Sequence, residues 1–408
     1  MNKERWTIST RGFSIPTAVF IFAFAVVLRV GYLLHKGIIV TSDTADYTGV
    51  CEVWQTAPLD IIGGHVGIEY AGFSLPFCVV YELTGHTNLA WIAVQIGFSA
   101  LACVLVYDAT RRYCGPLGGI SAGLVLVVLF DSFRFTVYML SDSTFVFTLS
   151  LALWAFARYH TEQTRGARIF AWLSVIWMAI TRPFGLPILG FWFVTDLLPS
   201  NSPFRTNLIK KRYFVGIVFA GALVLFLLSS RGKWVDSSLH LIWSNGWVFF
   251  QSRSPIPLPD LSFDPVEASN PYLFALYNAD HLLVLAIVKT LAFFVPALPH
   301  LTRNTVSQLN LLVYTPVFFT SMAGFVRSAR RRSRVFTTAG LPIVAITVVI
   351  AITFVTPFYR YRAPLGPLFA MLTGYLASTI FADWGLTIEN LSSFYSRYRQ
   401  NRKVTDSD

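Results

Sequence analysis

The chain has 408 residues, of which 54% are hydrophobic and only 13% charged, and its mean hydropathy is +0.57. Soluble domains carry about 25% charged residues, so a water-soluble enzyme, a disordered chain and a small disulfide scaffold are excluded. The net charge of +11 belongs to loops that flank a membrane, and no nucleic-acid partner is expected.

A membrane-crossing helix takes about 20 mostly apolar residues. Such stretches lie near 15–38, 88–110, 116–138, 142–160, 168–183, 184–199, 213–231, 307–327, 336–356 and 362–382. The expected fold is therefore all-α and integral to the membrane, with about ten transmembrane helices. The first stretch is too long for a signal-peptide core and lacks a small-residue cleavage site, so it is expected to stay as an anchor. The fifth and sixth are short and meet at Thr181-Arg182-Pro183, where proline breaks the helix.

Charge sets the orientation. With both termini in the cytoplasm, the loops on that side hold 21 of the 32 Lys and Arg, including the five arginines of 327–334. Loop 39–87 holds none, but carries Asp43, Asp46, Glu52, Asp60, Glu69 and Glu82, so it is expected outside. Two further apolar stretches, 71–85 and 281–299, break this count as spans and are expected to lie in the outer interface or dip partway in.

The organisation that follows has five parts. They are a cytoplasmic terminus (1–14), an N-terminal membrane core (15–231) containing outer loop 39–87, and a large outer loop (232–306) with an interfacial helix. Helices at 307–382 and a cytoplasmic tail (383–408) complete it. The tail has no retention signal, which favours the plasma membrane of a prokaryote. The stretch 254–265 is too rich in proline for regular helix or strand. Cys51, Cys78, Cys103 and Cys114 match no metal-ligand spacing. Cys51 and Cys78 either pair outside the cytoplasm or are two unrelated small apolar residues.

Ionisable residues at or near membrane depth are costly, which makes them functional candidates. Asp43 and Asp46 follow the first span, Asp131 and Arg134 lie near the outer end of the third, and Asp142 opens the fourth. Arg182 sits at the hinge, and Arg360 and Arg362, interleaved with Tyr359 and Tyr361, precede the last span. All are expected at the outer face. A carboxylate there serves as a base towards an acceptor hydroxyl or amine, and arginine clamps a phosphate at headgroup depth. The structural alternatives are that Asp131 and Arg134 neutralise each other, that Arg360 and Arg362 anchor the interface, and that Arg29 is paired within the first span.

The order of these residues resembles the GT-C superfamily of glycosyltransferases that use polyprenyl-phosphate sugars, in its protein mannosyltransferase and lipid A aminoarabinose transferase branch. Ser42-Asp43-Thr44-Ala45-Asp46-Tyr47 is similar to the family's outer-loop acid followed four residues later by Tyr. Tyr70-Ala71-Gly72-Phe73-Ser74-Leu75-Pro76, running on to Gly85, resembles its juxtamembrane helix, and Val94 to Gly115 its second span. Met139-Leu140-Ser141-Asp142 resembles the second outer acid. Thr181-Arg182-Pro183 resembles the Arg/Lys-Pro turn, and Tyr359-Arg360-Tyr361-Arg362-Ala363-Pro364 the Arg-Tyr-x-x-Pro start of a late span. The likeness covers 15–200 well and 336–382 less well, and it fails over 231–306.

The resemblance implies Asp43 as catalytic base, Asp142 as an acid that orients the acceptor or Asp43 or helps hold a cation, and Arg182, Arg360 and Arg362 as ligands of the donor phosphate. Tyr47, Tyr361 and Arg134 would support the cavity. The family's carboxylate pair is usually adjacent, whereas Asp46 is displaced by three residues from Asp43, which leaves its role open; Glu69 is a weaker second acid. Some relatives use a divalent cation, magnesium or manganese, and others none; no His or Cys cluster marks a dedicated metal site. The expected activity is transfer of a sugar from a polyprenyl-phosphate donor to an unidentified acceptor, with inversion. The rivals are a transporter or flippase for an anionic lipid or glycolipid, and a non-catalytic scaffold. A transporter tends to place its charges near mid-membrane and often shows internal repeats, and this sequence has neither feature.

Overall fold

The computed structural model describes residues 14–56, 70–85, 87–182, 185–197, 277, 279–294, 305–353 and 362–384. These residues are almost all helical, and among them the single β-type pairing is a bridge between Ile39 and Tyr138. Three helical stretches, Ile15–Lys36, Asn88–Val128 and Ala363–Asp383, are long and apolar enough to cross a membrane.

The first of these, α1 (Ile15–Lys36), starts with Pro16 in its opening turn, where the missing N–H costs nothing, and ends at Gly37. Two shorter helices follow, α2 (Ser42–Thr56) and α3 (Ala71–Leu83). Asn88–Val128, α4, is a hairpin rather than a rod. Gly115 has φ of 81°, a conformation glycine adopts without steric cost, and Pro116 then opens the returning arm. Gly119 in the returning arm lies against the Tyr107 carbonyl and Arg111 Cβ, too close for a side chain.

Beyond the hairpin, Leu129 is extended, and the chain continues as a single turn α5 (Phe130–Phe133) and a 3-10 turn over Arg134–Val137. The helix expected over 116–138 therefore stops at Val128. Leaving the helix carries Asp131 to Arg362, 3.4 Å away.

Next come α6 (Ser141–Glu162) and α7 (Arg165–Ala179), joined at Gln163, whose φ is 54°, and Thr164, which caps α7 by accepting from the Ala167 N–H. After α8 (Gly185–Leu197) the described chain resumes with α9 (Ala279–Phe294) and α10 (Thr305–Arg330). A π-helical turn at Phe336–Gly340 leads into α11 (Leu341–Thr353), and α12 (Gly366–Asp383) closes the described chain. Helices thus occupy nine of the ten stretches expected as spans, and 213–231 lies outside the described residues. In α9, Phe293 is buried and Phe294 stacks on Phe318, while Leu283, Val284, Ile287 and Leu291 are exposed.

Three apolar clusters hold the bundle. The largest joins α6, α7 and α8 to α10, α11 and α12, with Phe156, Trp192 and Phe369 among its members. The second packs α1 on both arms of α4. The third seats α2 and α3 against α4 and residues 135–140, and it includes Ala363.

At the centre of the second contact lies Arg29, 1% exposed. It donates to Ser99 Oγ at 2.7 Å, to the Ala25 carbonyl at 3.0 Å and to the Val127 carbonyl at 3.5 Å, and its guanidinium lies over the Phe133 ring. The pairing expected for Arg29 is therefore with backbone and hydroxyl oxygens of three helical segments. Arg29→Ala is expected to cost about 2–5 kcal/mol, through both the cavity and the stranded acceptors. Phe20→Ala, on the exposed face of the same helix, should shift stability by no more than about 0.5 kcal/mol. Thermal unfolding of the two variants in one detergent checks the contrast.

Candidate functional site

Chain direction sorts the ionisable residues to two ends of the bundle. α1, the returning arm of α4 and α7 finish at the end where α2, α3, α6 and α12 begin. This end holds Asp43, Asp46, Asp131, Arg134, Asp142, Arg182 and Arg362.

Asp142 stands in the first turn of α6 and Arg182 three residues beyond the end of α7. The Arg182 guanidinium donates to the Asp142 carboxylate, and the two side chains are 3% and 1% exposed. Burial at this level removes both groups from water, so each depends on the other for its charge to be tolerated. Arg362, just before the turn into α12, makes a second pair with Asp131 at 3.4 Å. Its guanidinium lies 4.5 Å from the centre of the Tyr314 ring of α10. Ser132 Oγ donates to the Ala363 carbonyl at 3.3 Å, which fixes the two strands of chain beside that pair.

α2 is tied to the same place from three directions. The segment between α1 and α2 runs alongside 137–139, with Ile39 N–H donating to the Val137 carbonyl at 2.9 Å. Tyr47 is buried, and its hydroxyl shares a 3.3 Å hydrogen bond with Ser141, the neighbour of Asp142. Burial, then proximity to Tyr70, pushes the Tyr47 phenol up, so it remains protonated. Finally, a disulfide joins Cys51 of α2 to Cys78 of α3, resolving the two readings of those cysteines in favour of pairing. Cys103 and Cys114 are free thiols.

α3 in turn is docked on the Arg182 turn. Gly72 N–H donates to the Ile180 carbonyl at 2.7 Å, and the Gly72 carbonyl accepts from Trp177 Nε1 at 2.9 Å. A Cβ at this position would lie 2.6 Å from Thr181 Oγ1 and 2.9 Å from the Trp177 carbonyl, so only glycine allows the approach. The result is a closed ring of contacts: α2, the disulfide, α3, the turn bearing Arg182, Asp142 of α6, and back to α2 through Ser141 and Tyr47.

Within that ring Asp43 occupies the first turn of α2, half-buried, four residues before Tyr47 and so on the same helical face. Asp46 is exposed. Arg134 lies over the Phe130 and Phe135 rings, and Asp131 engages Arg362. Arg360, Tyr361 and Glu69 lie outside the described residues. Among the described residues no three Asp, Glu, His or Cys side chains gather as a metal site.

Sequence reasoning missed three contributors. Ser141 and Gly72 were inside quoted motifs but carried no chemistry of their own there. Tyr314 gave no signal, being one aromatic residue in an apolar helix. No family model matches the chain, and no curated protein matches it.

The ion pair makes a sharp stability prediction. Arg182→Gln strands a buried carboxylate and is expected to cost about 3–5 kcal/mol. Adding Asp142→Asn should recover a large part of that loss, because no charge is then left buried. Thermal unfolding of wild type, both single variants and the double variant provides the cycle.

Proposed function

We propose that the chain is a multi-pass membrane glycosyltransferase that takes a sugar from a polyprenyl-phosphate donor on the non-cytoplasmic side. The observation that carries this reading is the meeting, at one end of the bundle, of two arginine–carboxylate pairs drawn from three separate parts of the chain, 131–142, 182 and 362. Beside them stands a helix with a half-buried acid, Asp43. The disulfide between α2 and α3 supports an oxidising compartment at this end.

In the proposed reaction Asp43 removes the proton from the acceptor hydroxyl or amine. The acceptor then attacks the anomeric carbon as its bond to the phosphate oxygen breaks, inverting the configuration. The departing phosphate carries the negative charge away. Arg182 and Arg362 meet that charge, and the pairing with Asp142 and Asp131 holds both guanidinium groups in place before the donor arrives. The phosphate joins these pairs rather than displacing Asp142 or Asp131, whose buried carboxylates would otherwise be left uncompensated. Tyr47 aligns the base by anchoring α2 to Ser141.

Placement favours transfer over transport. The mid-bundle charge, Arg29, is engaged by Ser99 and two carbonyls, whereas the paired acids and arginines gather at one end.

Purified protein incubated with lipid and envelope extract of its host should deplete the polyprenyl-phosphate sugar, followed by mass spectrometry. Asp43→Asn should slow that depletion about 10²–10⁴-fold while leaving thermal stability near wild type. Equal turnover by the two proteins would remove Asp43 from the mechanism.

A further inference from the structure

The opposite end of the bundle carries a different charge pattern. α10 ends in Arg327 and Arg330, and Arg331, Arg332 and Arg334 follow within four residues. Arg332 has φ of 49°, which stops the helix and turns the next residues around its end. Arg327 and Arg331 share Asp383 at the end of α12, while the neighbouring acids Glu162 and Asp108 are taken up by Arg112 and Arg158 and by Arg111 and Arg112. Arg334 donates to the His160 carbonyl at 2.7 Å, which brings the cluster against the α6–α7 turn, where Arg165 is also exposed.

Five guanidinium groups over eight residues repel one another, and one carboxylate offsets only part of that repulsion. Arg330, Arg332 and Arg165 are exposed and have no carboxylate partner among the described residues. The faces leading up to them are apolar and uncovered: Ile169 and Leu173 on α7, Val326 on α10, and Trp384 just past α12. A surface that changes from exposed apolar residues to exposed arginines within one or two helical turns matches the acyl chains and headgroups of a bilayer leaflet. The missing negative charge is what an anionic headgroup supplies.

We infer that this arginine end is a docking surface for anionic phospholipid. Headgroup phosphates sit between the end of α10 and the α6–α7 turn and complete the neutralisation that Asp383 begins. Such a lipid bridges α10, α12 and α6, three helices whose other ends contribute Tyr314, Arg362 and Asp142. The inference rests on the membrane reading of the chain and is independent of the reaction catalysed.

The test uses full-length protein, delipidated in neutral detergent and titrated with dioleoyl-phosphatidylglycerol or dioleoyl-phosphatidylcholine, with bound lipid counted by native mass spectrometry. Wild type is expected to prefer phosphatidylglycerol. At about fivefold per arginine, Arg330→Gln together with Arg332→Gln should weaken its binding on the order of 30-fold and leave phosphatidylcholine binding unchanged. On wild type alone, raising the salt from about 0.1 to 1 M should abolish the preference. Equal binding of the two lipids, equal phosphatidylglycerol binding by wild type and variant, or a preference indifferent to salt would each overturn the proposal. So would displacement of the lipid by an equal concentration of inorganic phosphate, which would mark a site for free anion instead.

Discussion

The Arg182–Asp142 pair is almost entirely shut off from water, and that burial makes each partner depend on the other. A lone arginine or aspartate with so little exposure would be forced towards neutrality or outward to solvent. Two things bring the partners together. The first is the stop in the chain after α7, which leaves Arg182 at the mouth of the bundle. The second is the start of α6 at Ser141, which points Asp142 towards it. Gly72 then seals the pair by letting α3 lie directly on the Arg182 turn, and the Cys51–Cys78 bond carries that seal across to α2. Each element is commonplace alone. Together they place an acid-bearing helix, a buried guanidinium and a second arginine–carboxylate pair around one end of the bundle.

Much of this was legible in the amino-acid sequence, for identifiable reasons. The helical runs were visible because a membrane-length apolar stretch has few other uses, and the separation of 88–110 from 116–138 because Arg111 and Arg112 interrupt the apolar run. Asp142 and Arg182 stood out as charges in apolar surroundings. What stayed hidden depended on partners remote in sequence. Asp131 and Arg134 follow Leu129 closely, but nothing local says whether the run from 116 to 138 carries them on a continuous helix or leaves the helix at Leu129. The partner that Asp131 meets beyond the break, Arg362, is more than two hundred residues away. The same limit applies to Cys51 and Cys78: spacing left pairing and non-pairing open, and only the docking of α2 beside α3 decides between them. Tyr314 was invisible because an aromatic residue in an apolar helix is ordinarily core, and its position beneath a guanidinium is a property of the assembled bundle.

The two ends of the bundle manage charge in opposite ways. At one end arginines are buried, few, and matched by carboxylates. At the other they are numerous and largely exposed, and the five of 327–334 share Asp383 among the described residues. The first arrangement suits recognition of one phosphate in a defined geometry, since guanidinium groups held in place lose little freedom on binding. The second suits a fluid surface of many headgroups. A polyprenyl-phosphate donor meets both descriptions in part, being a lipid with a single phosphate, so the competing lipid background matters in any binding experiment.

The most direct test of the central claim is the affinity of the protein for a polyprenyl phosphate, the leaving group of the proposed reaction, measured in detergent with phosphatidylglycerol in excess to occupy the arginine end. The account predicts saturable binding by wild type that Arg362→Gln weakens at least about tenfold, the loss of one charge-assisted hydrogen-bonding partner. Unchanged affinity in a folded Arg362→Gln variant would contradict it, and would return the buried arginine pairs to a purely structural role.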